Sequence, residues 1–183
     1  GTYTLTVTTI PDVNHNPVTK TATIIVNKID STLFVDDLVF DYNSTGSTNV
    51  IFDGATGIEA SVENQPQAIV KIENDQITVS GLNAGTYTLK VTTIPDNNHI
   101  SVTKTVTITV NKIDSILSVV NVELNYGGSV NVSVKADGAI GITAKIDDIE
   151  VGVNEFIIPI SGLDVGTYTL TVTTIPDVNH NPV

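Results

Sequence analysis

Leu82-Asn83-Ala84-Gly85-Thr86-Tyr87-Thr88-Leu89-Lys90-Val91 is the stretch that decides the fold. Tyr87, Leu89 and Val91 alternate with Thr88 and Lys90, so apolar side chains line one face of a strand and polar ones the other. The wording recurs. Gly1 to Val18 reads GTYTLTVTTIPDVNHNPV, and Gly166 to Val183 reads the same eighteen residues. Gly85 to Val102, GTYTLKVTTIPDNNHISV, is a near copy, with spacings of 84 and 81 residues. Self-similarity at a fixed spacing marks a repeat architecture.

A second marker agrees. Val26-Asn27-Lys28-Ile29-Asp30-Ser31 returns 84 residues later as Val110-Asn111-Lys112-Ile113-Asp114-Ser115. This sets the expected organisation: 1–27 is the C-terminal part of a preceding repeat, 28–111 a complete repeat, and 112–183 a repeat lacking its last strand. The chain reads as a window on a longer array with a period of 165 residues, two units of 84 and 81. The alternative is a strand swap, in which Thr19 to Val26 of one chain completes residues 112–183 of another. The marker has no Gly or Pro, and Val26 and Ile29 flank its polar pair. It therefore predicts a semi-rigid joint rather than a flexible string.

Within the complete unit, short period-2 runs alternate with turn residues, the pattern of a β-sandwich. Leu33 and Val35, then Leu38, Phe40 and Tyr42, precede the turn Asn43-Ser44-Thr45-Gly46. Val50 and Phe52, then Ile58, Ala60 and Val62, follow; Ile69 to Ile72, then Ile77 and Val79, come next. Tyr87 to Val91 and Val102 to Val110 close the unit, giving about seven strands in 84 residues. Composition points the same way: 27 Thr, 26 Val and 22 Ile make 75 of 183 positions β-branched, and such side chains suit a pleated surface better than a helix.

Charge and missing residue types narrow the function. A net charge of −12 with no Arg argues against nucleic acid, whose phosphates need clustered cations, and against anionic membrane surfaces. With no Cys there is no disulfide framework and no thiol chemistry. No apolar run approaches the roughly 20 residues of a membrane span.

The strand Leu82 to Val91 resembles the sixth strand of immunoglobulin-like domains. There a corner Tyr hydrogen-bonds back to the chain and the position two later is a Cys. Here that later position is Leu89, repeated as Leu5 and Leu170, so the resemblance is to cysteine-free bacterial Ig-like repeats. Their strand of this type is followed by an acidic, Asn-rich hairpin and a Thr/Val final strand. Copy for copy, the wording is similar to the tandem Ig-like repeats of adhesin-like surface proteins of methanogenic archaea. The resemblance covers the whole chain and implies an all-β array of Ig-like sandwiches at an extracellular cell surface. It also implies that Tyr3, Tyr87 and Tyr168 sit at the corner and Leu5, Leu89 and Leu170 in the core. The second copy departs from the first in having Gly127-Gly128 where the first has Asn43-Ser44-Thr45-Gly46.

Candidate sites are few. Asp12, Asn14 and Asn16, repeated as Asp177, Asn179 and Asn181, space their oxygens as an EF-hand loop begins, which makes them a weak Ca²⁺ candidate. Pro17 stands where the tight-turn Gly belongs, no bidentate Glu follows, and Ile100 replaces the third oxygen in the middle copy. A polar hairpin satisfying its own backbone is the stronger expectation. The three His, at 15, 99 and 180, all lie in this loop, too far apart for a zinc site and too few for a catalytic triad. Asn43 and Asn131 head sequons, and secretion would make Asn43, in a turn, the better glycan acceptor. A Lys–Asn cross-link would draw on Lys28 or Lys104 with Asn27 or Asn111; solvent-facing lysines are the stronger expectation.

The expected function is therefore structural. The repeats form a stalk or filament of a cell-surface adhesin or appendage, with neighbouring repeats as partners, no enzyme activity and no cofactor. The alternative is that the repeats themselves bind glycans or a partner cell, against which the scarcity of aromatic residues counts.

Overall fold

Alternation of β-branched and polar residues along short segments leaves each segment one apolar face, and two such sheets bury those faces against each other. The computed structural model describes all residues, 1–183. It is all-β. A hairpin comes first, β1 (Thr2–Thr8) and β2 (Thr19–Ile25). The first unit follows with β3 (Ile29–Asp30), β4 (Thr32–Val35), β5 (Leu38–Asp41), β6 (Gly46–Asp53), β7 (Ala55–Val62) and β8 (Ile69–Glu73). It continues with β9 (Gln76–Ser80), β10 (Gly85–Pro95), β11 (His99–Ile100) and β12 (Thr103–Asn111). The second unit holds β13 (Ile113–Asp114), β14 (Ile116–Ser118), β15 (Ser129–Ser133), β16 (Lys135–Asp137) and β17 (Ala139–Ile146). After these come β18 (Ile149–Val151), β19 (Ile157–Ser161), β20 (Leu170–Pro176) and β21 (His180–Asn181).

In the first unit one sheet runs β4-β6-β9-β8 and the other β5-β12-β10-β7. Strands two and five of the sandwich pair in one sheet, and strands three, six and seven in the other. This is the immunoglobulin-like arrangement. The first strand is split: β4 pairs antiparallel with β6, and β5 crosses to pair parallel with β12. At the crossing, the Thr107 N–H donates to Asp37 Oδ1 and Lys104 Nζ donates to the Val35 carbonyl. Lys104 is therefore half-buried rather than solvent-facing as its position on an outer strand suggests. Leu89, Val91, Ile77, Val79 and Ile108 are fully buried between the sheets.

The second unit repeats this plan in part. It has no counterpart of β12 within these residues, and three consequences follow. Val122 and Leu124, which match Leu38 and Phe40 of β5, form no strand and are each 36% exposed. The strand matching β10 starts only at Leu170, because β17 pairs with its C-terminal part. In the 166–169 backbone only Thr169 is tied down, its carbonyl accepting from the Asp147 N–H and its own N–H donating to Asp147 Oδ1. The buried core is half the size, seven residues against fourteen in the first unit.

The β1–β2 hairpin packs on neither core. Leu5, expected inside a core with Leu89 and Leu170, is 47% exposed, and Tyr3 is 60% exposed. Only β2 borders β1, so neither face of this hairpin is covered.

Candidate functional site

The acidic hairpin is built the same way three times. Asp96 Oδ1 accepts from the Asn98 backbone N–H at 2.7 Å and lies 2.6 Å from His99 Nδ1. Asp177 does the same with Asn179 and His180, and Asp12 with Asn14 and His15. The imidazole first, then the backbone N–H, hold all three carboxyls below the ordinary value of 3.8. The aspartate thus spends its oxygen on its own turn.

In both units this loop closes over a glycine. Gly54 and Gly138 have φ of +69° and +70°, and a Cβ at either would lie 2.4 Å from the ring of His99 or His180. The carbonyls of these glycines accept from the buried hydroxyls of Ser31 and Ser115 and from the N–H of Asp96 and Asp177. β11 and β21 then pair parallel with β3 and β13, the first residues after each linker. Asp, His, Gly and Ser together tie the entering chain to the end of its sandwich.

The second unit's loop does more: it docks on the first unit. Asn179 is only 7% exposed. Its Oδ1 accepts from the Ala84 N–H at 2.8 Å, and its Nδ2 donates to Asn83 Oδ1 at 3.3 Å. The His180 ring stands edge-on to Tyr42, with centroids 5.6 Å apart and planes at 76°, a favoured aromatic geometry. Lys112 alone separates β12 from β13. Two hydrogen bonds, one ring contact and a one-residue linker therefore fix one unit on the other. Asn14 and His15 have the same local sequence and remain exposed, the His15 side chain at 75% against 13% for His180.

Of the residues singled out from sequence, Asp177, Asn179 and Asn181 do come together, but each faces a different partner. Asn179 reaches the first unit, Asn181 Nδ2 donates to Asp114, and Asp177 holds its own turn. Asp12, Asn14 and Asn16 lie in the exposed outer hairpin. Tyr87 and Tyr168 hydroxyls donate to the carbonyls of Asn83 and Asp164, four residues upstream, at 2.9 and 3.1 Å. That is the corner geometry, and it shapes the segment that Asn179 contacts. Asn43 lies exposed in its turn at φ 61°, and Asn131 points outward from β15. Asn111 Nδ2 donates to Asp41. The linker predicts the semi-rigid joint but not the side chains that make it, although Tyr42 and Asn179 recur as Tyr126 and Asn98; Tyr42 also packs against the first unit's core.

No family model and no curated protein matches the chain. Among solved structures it is similar to the fibronectin(III)-like modules of CbhA from Clostridium thermocellum, at 10% identity and TM-score 0.36, over 83% of this chain and 90% of that one. Titin domains Z1Z2 in complex with telethonin give 14% identity and TM-score 0.41, over 85% and 94%. Domains 4–9 of the surface layer protein SbsC give 17% and 0.32, over 100% of this chain and 34% of that one. These are likenesses of fold alone. The strand order places the chain among tandem immunoglobulin-like β-sandwich proteins.

Proposed function

We propose that the chain is a segment of a structural extracellular array, the stalk or filament of a cell-surface adhesin or appendage. The finer reading, an adhesin-like surface protein of a methanogenic archaeon, is supported by the wording of Gly85 to Val102 and its copies. The observation that carries the structural role is the joint. Asn179 is buried between units, and buried polar groups that find all their partners fix geometry more than they add stability. An array joined this way transmits position and load along its length, with each unit a separate small core. The units are partners for one another, no catalytic step is assigned to any residue, and the acidic surface keeps arrays apart in solution.

Antibodies raised against the chain should decorate elongated structures on intact cells of the source organism. Labelling only after permeabilisation would sink the surface assignment, and labelling of compact particles would sink the stalk.

A further inference from the structure

Asparagine suits turns because its side chain bonds back to the nearby backbone and because it tolerates the left-handed region. Asn43 uses only the second property. Asp41, Tyr42, Asn43 and Ser44 form a turn closed by the Ser44 N–H on the Asp41 carbonyl, and of its two central residues only Asn43 has positive φ, at 61°. That is the type II pattern, which takes glycine or asparagine at this position. Gly127 follows Tyr126 as Asn43 follows Tyr42, and it holds the same left-handed conformation at φ 76°. Glycine thus satisfies the backbone in the second unit. In the first, the Asn43 amide makes no hydrogen bond, while the Ser44 hydroxyl donates to the Asp41 carbonyl. Asn43, Ser44 and Thr45 are all exposed and together form a sequon.

We infer that Asn43 carries an N-linked glycan whose first sugar sits against the joint between the two units. The inference rests on the reading of the chain as extracellular. The donor is a lipid-linked sugar phosphate. Asn43 Nδ2 forms a bond to the anomeric carbon of the sugar, and the bond from that carbon to the phosphate oxygen breaks. The lipid phosphate leaves and the amide gives up one proton, with nothing oxidised or reduced.

The fold provides a seat for that sugar. Asn43 is itself part of the wall of a surface depression of about 340 Å³, together with Tyr42, Thr45, Ser80, Leu82 and Asn83. Ligand pockets begin at roughly 300 Å³, so the space suits a small ring. The hydroxyls of Thr45 and Ser80 both donate and accept, as sugar hydroxyls do, and Tyr42 and Leu82 supply apolar surface for the C–H face of the ring. Two of these walls also hold the second unit. The Tyr42 ring meets His180, and Asn83 Oδ1 accepts from Asn179 Nδ2. A sugar in this depression therefore rests on side chains of the joint. The other sequon, Asn131-Val132-Ser133, lies inside β15 with Val132 fully buried, its backbone held in the ladder with β19.

Trypsin separates the two sequons, since residues 29–71 contain Asn43 and residues 113–135 contain Asn131. In the chain isolated from cells of the source organism, the 29–71 peptide should carry the added mass of an oligosaccharide. Among variants produced in the same cells, Thr45→Val should lose that mass and Thr45→Ser should keep it. Thr45 is exposed, so neither change disturbs the core. Hydrogen exchange on the same three chains reads the seat. The amides of 81–84 should exchange several-fold more slowly in the wild-type and Thr45→Ser chains than in Thr45→Val. A 29–71 peptide at its unmodified mass overturns the inference, and equal exchange with the glycan present overturns its place at the joint. An unmodified peptide in a chain that antibodies label on intact cells leaves the stalk standing. Labelling only after permeabilisation removes the extracellular reading and the glycan with it.

Discussion

Gly54 and Gly138 occupy the left-handed region with a histidine ring where a side chain would go. Alanine there would meet both the backbone penalty and the ring. Gly54→Ala should lower stability by about 2 kcal/mol, read in a thermal melt, and an unchanged melt would show that the His99 lid moves freely. Tyr87→Phe removes the hydroxyl bond to the Asn83 carbonyl and should cost about 1 kcal/mol. The aspartates of the same loops set an acid limit. Their folded-state values lie below 3.8 because the histidines and backbone N–H groups favour the carboxylate. A depressed carboxyl adds stability above its unfolded value and loses it as pH falls through the lowered folded value. Melting temperature should therefore hold down to about pH 4 and fall below it, and Asp96→Asn together with Asp177→Asn should blunt that fall. A drop of the same size in the double variant would assign acid sensitivity to other carboxylates.

At the level of strands, β10 and its counterpart in the second unit compare one sequence pattern with and without a partner. In dilute solution the amide of Tyr87 should exchange far more slowly than that of Tyr168, since β12 covers the first and nothing covers the second. Equal protection would mean that 166–169 finds a partner the isolated chain lacks. The strands were legible because alternation of Leu89, Val91, Val106 and Ile108 has only one period-2 solution that buries them all. What stayed hidden were pairings decided by a distant neighbour. Val122 and Leu124 have the same local pattern as Leu38 and Phe40, yet only the latter form a strand, because parallel pairing needs β12 and no local residue encodes it. The core position of Leu5 failed for the same reason, as an inward-facing residue is buried only where a second sheet exists to cover it. In the Asn-rich loop the aspartate holds its own turn, whereas the docking of Asn179 on Ala84 depends on a surface 95 residues away.

For the whole molecule, the joint decides shape. Asn179→Ala removes two hydrogen bonds between units without touching either core. Each unit should melt as before, while X-ray scattering should report a broader range of end-to-end lengths. An unchanged scattering profile would show that Lys112 and its flanking strands alone hold the angle. The chain also carries one eighteen-residue sentence in two settings, water at one end and a neighbour at the other. That duplication makes it its own reference standard. His15 has the same turn and aspartate in water, whereas His99 and His180 both cover a glycine and differ chiefly in that His180 stands beside the ring of Tyr42. The separation of the His180 and His99 imidazole resonances in a single spectrum therefore measures how much of the time the joint is closed, with buffer, temperature and concentration cancelling between the pair.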